Sequence, residues 1–157
     1  MEQRTKRVVL IAIVTGILAI TGSCNKNDDP ALRSEQFALN PVGNRGISGT
    51  VYIAENLDSS FNITVRLNSS VKDSVHVMNI YNVNQNNSTN ISVKLADIKG
   101  TGGAVIGETR SIKQAIEETG NFGSVTYDKV LKQTQVIKVF LSRNMKDSVL
   151  CVGEIGR

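Results

Sequence analysis

The sequence predicts an all-β protein, a Greek-key antiparallel β-sandwich with one or two short helical insertions. Short segments in which apolar and polar residues alternate recur along the chain, and turn-forming residues separate them. Helical periodicity is confined to two short stretches, so a sandwich of short strands is favoured over a mixed fold. We expect the folded domain to span 46–157, which is long enough for a single hydrophobic core.

Each predicted element follows from its local pattern. The stretch 24–45 has no sustained period, so we interpret it as a tether with a short edge strand at 37–39. Alternation then predicts six strands, and the Asn-rich stretch 82–90 predicts a mobile loop. The strands are expected at 47–53, 61–67, 75–81, 91–95, 135–142 and 148–155.

Two short helical segments are predicted between the strands. Ser111 and Gln114 have the spacing of a capping box, so a short helix is expected between Ser111 and a stop at Gly120. One or two further turns are expected over 126–133, with Val130 and Leu131 facing inward.

The start of the chain predicts an export signal that ends at a lipidated cysteine. Basic residues precede an apolar segment at 8–20, which is too short to cross a bilayer because a spanning helix needs ~20 residues. Small residues then lead to Cys24, and the segment resembles the lipobox of bacterial lipoproteins. The resemblance implies a signal peptide at 1–23 and acylation of Cys24. An uncleaved anchor, or an ordinary signal with an incidental cysteine, is the alternative.

The residues after Cys24 bear on where the protein resides. The polar stretch 25–30 cannot bury apolar area and is expected to remain a solvated tether. Asn25 is not the aspartate that resembles an inner-membrane retention signal, and Asp28 and Asp29 resemble surface-export tethers of some Gram-negative lineages. We therefore expect a lipid anchor in the outer membrane, with the domain facing the periplasm or the cell surface.

The composition limits the classes of partner that we expect for this protein. The chain carries 18 basic and 14 acidic residues, and three of the basic ones lie in the signal at 1–23. The remaining basic residues are scattered and aromatic residues are few, so a nucleic-acid surface is not expected. The partners that remain are membrane lipid through acylated Cys24 and either an envelope protein or a polysaccharide. The sequence leaves the oligomeric state open.

Four segments resemble the CHRD (chordin-like) domain, a family that is in turn similar to the copper–zinc superoxide dismutase sandwich. They are GISGTVYI from Gly46, NITVRLN from Asn62, DSVHVMNIYN from Asp73 and GEIG from Gly153. The resemblance extends over about 46–156 and implies a Greek-key β-sandwich, in agreement with the alternation of the strands.

The chain departs from this family at the positions that bind metal. Bacterial members show a His-x-x-His-x-His pattern on the third strand, which here reads His76, Asn79 and Tyr81. Phe140 replaces a further expected histidine, and His76 is the single histidine of the chain. Because copper and zinc sites use three or four N, S or O ligands, His76 with Asp73, Asn79 or Tyr81 is a weak metal candidate. The alternative is a strand histidine with a neighbouring hydrogen-bond partner, and no cofactor is expected.

Catalytic patterns are equally sparse, so we do not expect an enzyme. A serine triad needs a base oriented by a carboxylate, and one histidine without a Gly-x-Ser-x-Gly motif does not supply it. The glycine-rich stretch 100–103 is interpreted as a turn, since it lacks the lysine and helix of a phosphate loop. A carboxylate pair drawn from Asp58, Asp97, Glu108 and Asp128 is allowed by the sequence but not required by the spacing.

The tetrapeptide Lys-Asp-Ser-Val occurs twice, from Lys72 and from Lys146. It is interpreted as repeated turn chemistry, in which the aspartate accepts from backbone amides. It also resembles the O-glycosylation acceptor of some bacteria, which would place glycans on Ser74 and Ser148. Cys151 lies in an apolar stretch and is expected to be a buried small hydrophobe.

Together these observations predict a non-catalytic, lipid-anchored module of the cell envelope with a binding or structural role and an unidentified ligand. Loops on a rigid sheet are the usual place for recognition, which favours the Asn-rich stretch 82–90. The alternative is a degenerate or residual metal-binding protein similar to superoxide dismutase.

Overall fold

The computed structural model of the chain describes residues 32–83, 89–116 and 120–156. The predicted signal peptide at 1–23 and the lipidation site Cys24 lie outside these residues. The described residues belong to one compact unit, Ala31–Arg157.

Within these ranges, strands account for most of the chain and confirm the all-β class. The strands are β1 Ser34–Pro41, β2 Gly49–Glu55, β3 Phe61–Leu67, β4 Val75–His76, β5 Met78–Val83, β6 Thr89–Lys94, β7 Ile98–Lys99, β8 Val105–Ile112, β9 Gln114–Ile116, β10 Phe122–Ser124, β11 Gln135–Ser142 and β12 Met145–Ile155. A 3-10 turn lies at Gly43–Arg45, and the helix α1 spans Tyr127–Lys132.

Eight of these strands form one curled antiparallel sheet in the order β6-β5-β11-β12-β1-β2-β3-β8. Strand β1 sits in the middle of that order and changes partner along its length. Its first six residues pair with β2, whereas Asn40 and Pro41 pair with β12. The short strands β4 and β7 pair with each other, and β9 pairs with β10.

The core lies on the inner face of the curled sheet and follows from the alternation in the sequence. In β3, Phe61, Ile63, Val65 and Leu67 are buried, while the residues between them face outward. The same period buries residues of the other long strands, including Val51, Ile53, Ile80, Ile137, Val139, Leu150 and Ile155.

The tether prediction for 24–45 differs from the structure. Residues 34–41 form the central strand β1 instead of a short edge strand, so the folded unit begins well before residue 46. Glu35, Phe37 and Leu39 do alternate with exposed residues, but only Leu39 is fully buried. The pattern is weak because pairing on both sides, not apolar burial, places this strand.

The predicted helix between Ser111 and Gly120 is wrong. Strand β8 continues to Ile112, and β9 then pairs with β10 as a small hairpin. Ser111 adopts a φ of 52°, and its N–H donates to Asn62 Oδ1 at 2.8 Å. An N-cap residue needs extended backbone, so this contact with β3 overrides the local capping signal.

The helical turns predicted over 126–133 are confirmed as α1. Thr126 is the N-cap, and its side chain accepts from the N–H of Lys129 at 3.3 Å. Val130 is fully buried, as expected. Among the described residues, no helix has the length and apolarity needed to traverse a bilayer.

The loop predicted over 82–90 is shorter than expected. Strand β5 extends to Val83, and β6 begins at Thr89, so both ends of the Asn-rich stretch belong to paired strands. Cross-strand pairing holds these polar residues in place even though they carry no apolar pattern. The central residues 84–88 lie outside the described residues.

Candidate functional site

His76, the weak metal candidate, is fully buried, and backbone groups occupy both of its ring nitrogens. Nε2 accepts from the N–H of Val71 at 3.2 Å, and Nδ1 lies 3.0 Å from the carbonyl oxygen of Leu141. Because a carbonyl can only accept, the proton is on Nδ1 and the ring is neutral. The histidine therefore links the turn before β4 to the end of β11.

The other residues considered as ligands do not join His76. Asp73 is exposed in the turn before β4, while Asn79 and Tyr81 line a groove on the outer face of the sheet. Within the described residues, no three His, Cys, Asp or Glu side chains lie close enough together to hold a metal ion. The structure thus separates the residues that the sequence placed in one candidate site.

The four carboxylates considered as a catalytic pair do not converge. Each carboxylate forms an ion pair with a different basic residue. The pairs are Asp58–Lys113 at 2.8 Å, Asp97–Arg143 at 2.6 Å, Asp128–Arg33 at 2.7 Å, and Glu108–Arg110. Since a paired-carboxylate mechanism needs both groups at one substrate bond, these residues supply no such site.

The glycine-rich stretch 100–103 is a turn, as predicted. Ser70 Oγ accepts from the N–H of Thr101 at 3.0 Å and of Gly102 at 3.2 Å, and it donates to the carbonyl of Gly103 at 2.7 Å. The amides that would face a phosphate in a phosphate loop are therefore bound to Ser70.

The two Lys-Asp-Ser-Val copies have different backbones. The first contains Asp73 in a turn with a φ of 60°, and Ser74 is partly buried. The second lies within β12, where Ser148 is exposed. The interpretation as repeated turn chemistry is therefore wrong for the second copy, because the turn falls earlier, at 143–144. Glycosylation of Ser74 and Ser148 stays a prediction that the intact mass of native protein tests.

Cys151 is a fully buried residue of β12, as expected from its apolar neighbours. Burial raises the pKa of its thiol to about 12. A thiol in this environment stays protonated at neutral pH and is a poor nucleophile or metal ligand.

A groove of about 640 Å³ lies on the outer face of strands β6, β5 and β11, and we call it the outer groove. Its floor carries Asn79 and Tyr81 from β5 with Lys138 and Phe140 from β11. These side chains share a face because they alternate with the core residues of the same strands. The other lining residues are Val77, Ile91, Lys94, Asp97, Ile116, Ser142 and Arg143.

Asn79 is the unusual residue of the outer groove. It is only 6% exposed, and its Nδ2 donates to the Tyr81 hydroxyl at 3.3 Å. Its Oδ1 is buried and has no hydrogen-bond partner within the described part of the chain. Rotating the amide exchanges the two atoms but still leaves one of them unpaired. Such a buried polar atom costs ~1–3 kcal/mol, so an atom that supplied the absent hydrogen bond would stabilise this position.

Aromatic rings and cations surround this amide. The Tyr81 and Phe140 rings meet edge to face, with centroids 6.3 Å apart. Lys138 Nζ lies 5.3 Å from the centroid of the Tyr81 ring. Arg143 pairs with Asp97, a side chain that is 17% exposed. The outer groove therefore combines an apolar surface, an unpaired amide and an excess of positive charge.

A second groove of about 510 Å³ lies at one end of the sheet and also contains a buried amide. Gln135 Nε2 donates to Asn82 Oδ1 at 2.8 Å, and Gln135 Oε1 has no partner among the described residues. Among the described residues of its lining, Lys129 is the single charged residue and none is aromatic. The outer groove is therefore the stronger candidate for ligand binding.

Arg33 organises a separate cluster at the start of the described chain. Its guanidinium donates to both carboxylate oxygens of Glu55 at 2.8 Å and to Asp128 Oδ1 at 2.7 Å. The same group lies 4.9 Å from the centroid of the Tyr127 ring. Hydrogen bonds from Arg33 lower the pKa of both carboxyl groups. The cluster fastens the first described residues to β2 and α1.

Replacing Arg33 with glutamine is expected to make the stability of the protein in urea less dependent on pH in the acid range. Because the folded pKa of Glu55 and of Asp128 is lowered, their contribution is complete above the ordinary values of 4.5 and 3.8 and is lost as pH falls below them. The urea midpoint of Arg33→Gln should therefore lie below that of the wild type at pH 5, and the difference should shrink as the pH is lowered to 2. An Arg110→Gln control removes an exposed ion pair elsewhere, and equal behaviour of the two variants would contradict this role of Arg33.

Sequence reasoning identified part of the outer groove for a different reason. It singled out Asn79, Tyr81 and Phe140 as positions where the resemblance expects histidines, and the structure brings these three together. It missed Lys94 and Lys138. The available signal for Lys138 was a charged residue inside an otherwise apolar strand, two positions before Phe140 and hence on the same face.

Comparisons with protein-family models, with curated proteins and with solved structures give no match for this chain.

Proposed function

We propose that the protein is a non-catalytic binding module of the cell envelope, attached to the outer membrane through lipid on Cys24. The observation that carries the binding role is Asn79 Oδ1, a buried acceptor without a partner among the described residues, in a groove of about 640 Å³. Grooves of ~300–1,000 Å³ with a few converging polar groups are typical of small-ligand sites.

We further propose that the curled sheet is a Greek-key sandwich of the CHRD type. Strand β1 supports this, since it pairs with β2 and then with β12 and so connects two groups of four strands. The neighbours β3–β8 and β5–β11 also support it, because the chain must cross between the two groups to form them.

The metal-binding alternative has less support. Both nitrogens of His76 already bond to backbone groups, so coordination would break at least one of these bonds. Among the positions where the resemblance expects histidines, those that line the outer groove carry an amide, a phenol and a phenyl ring.

The lipid anchor is tested at Cys24. Wild-type protein expressed in a Gram-negative host is expected to incorporate labelled palmitate and to lose 1–23, whereas Cys24→Ser should do neither. The matched control is Cys151→Ser, which changes a fully buried cysteine and should keep the label. Native protein that begins at Met1, or label that persists in Cys24→Ser, would contradict the proposed anchoring.

A further inference from the structure

We propose that the outer groove binds an acidic saccharide through a hexuronic acid unit. This inference rests on the proposed binding function and names the chemistry of the ligand. Three features of the groove carry it: the unpaired amide of Asn79, the excess of positive charge, and the Tyr81–Phe140 surface.

The amide favours a ligand group that can either donate or accept a hydrogen bond. Asn79 Oδ1 can only accept, and the nearby Tyr81 hydroxyl already receives the Asn79 Nδ2 proton. A sugar hydroxyl can donate to Oδ1, and it can instead accept if the amide is rotated. Saccharide hydroxyls therefore suit either orientation of the side chain.

The charges require an anionic group on the same ligand. Lys94, Lys138 and Arg143 line the groove, and among the described residues Asp97 is the single acidic residue of the lining. Asp97 pairs with Arg143, and no carboxylate of the described residues pairs with the two lysines. A carboxylate that enters the groove would form charge-assisted hydrogen bonds with Lys138 and Lys94.

The shape of the groove favours a sugar ring beside these polar groups. The partly exposed Tyr81 ring packs edge to face against the buried Phe140 and lies beside Lys138, and a pyranose ring has an apolar C–H face with a polar rim. The volume of about 640 Å³ exceeds what a single carboxylate would fill. A sugar acid uses the ring surface, the amide and the cations together.

An acidic peptide fits the groove less well. Strand β5 is paired with both β6 and β11, and β11 is paired with both β5 and β12. The floor residues therefore come from strands that are paired on both sides, and a peptide in the groove could add a strand only at β6, an end strand of the sheet. The backbone N–H and C=O groups of a bound peptide would need partners that the floor does not supply.

The test titrates the full lipid-bearing chain in detergent micelles with trigalacturonic acid, followed by calorimetry. Its methyl ester is the matched uncharged probe, triglutamate is the peptide probe, and monomeric galacturonate distinguishes a free sugar acid from a polymer unit. We expect the acid trimer to bind and the ester to bind at least tenfold more weakly. Lys138→Gln should weaken binding of the acid at least tenfold, while Lys132→Gln on α1 should leave it unchanged.

Asn79→Leu separates a binding role from a structural one. Removing the unpaired amide should reduce affinity for the trimer at least tenfold while the melting temperature stays equal or rises. Loss of affinity together with a loss of stability would overturn the role given to Asn79.

The remaining outcomes separate this inference from the proposed function. Equal binding of the acid and its ester, or an affinity that Lys138→Gln leaves unchanged, would overturn the acidic saccharide. Binding of triglutamate alone, if Lys138→Gln weakens it, would overturn the ligand class and keep a binding module. A groove that binds none of these probes would overturn the ligand class, and the proposed binding function would fail if native protein captured from the envelope also carried no small ligand.

Discussion

Replacing His76 with leucine is expected to destabilise the protein by about 2–4 kcal/mol, equally with and without added copper or zinc. Leucine fills a similar volume but bonds with neither the N–H of Val71 nor the carbonyl of Leu141, which His76 now pairs. Leaving a buried backbone group unpaired costs ~1–3 kcal/mol. Urea unfolding in chelator and in excess metal measures both quantities.

The matched variant is His76→Gln, whose carboxamide oxygen can approach the position of Nε2 and accept from Val71. It should recover part of the lost stability. If metal ions instead stabilise the wild type and not either variant, His76 is a ligand and the metal-binding alternative regains support.

Changing Gly153 to alanine is expected to destabilise the protein by about 3 kcal/mol, because the seam between β1 and β12 has no room for a Cβ atom. A Cβ at this position would overlap the carbonyl oxygen of Ala38 and lie 2.9 Å from Leu39 Cδ2. Backbone cannot move aside like a flexible side chain, so the two strands must separate. Urea unfolding and amide exchange along β1 measure the effect.

Gly103→Ala is the control for this prediction. Its Cβ would lie 3.9 Å from Thr101 Oγ1, an ordinary contact, so stability should stay within about 1 kcal/mol of the wild type. Gly153→Ala with wild-type stability would show that β1 and β12 tolerate a wider spacing. The central position of β1 would then contribute little to the fold.

The lining of the outer groove converges because of strand geometry. Residues that alternate on β5 and β11 project from one face, so Asn79, Tyr81 and Phe140 converge whatever their chemistry. An amide and two aromatic rings suit a hydroxyl-bearing ring better than a metal ion, and Lys138, beside them on β11, adds the positive charge on which the proposed acidic saccharide depends.

Several elements could be predicted because their information is local. The alternation of β3 depends on its own residues, and the Thr126 cap of α1 forms within one turn. The turn at 100–103 follows from its glycines. Burial of Cys151 follows from the apolar residues around it.

Other elements could not be predicted because their information lies in distant residues. Ser111 has a capping signal, but Asn62, far away in the sequence, accepts its N–H. Strand β8 shows little apolar alternation since its inward position at Gly107 is filled by the side chain of Ile98 from β7. The outer groove could not be predicted either, because its two lysines come from β6 and β11, which are far apart in the sequence.

By itself the sequence determined the all-β class, the helix α1, most of the strands and the absence of a histidine cluster, because side-chain period and residue count do not depend on the fold. Tertiary structure alone decided that β1 is central, that 114–116 forms a strand instead of a helix, and that Asn79 lies buried beside Lys138. The physical reason is pairing. Which strand pairs with which, and which groups surround a buried amide, depend on residues that are far apart in the sequence, so no local pattern encodes them.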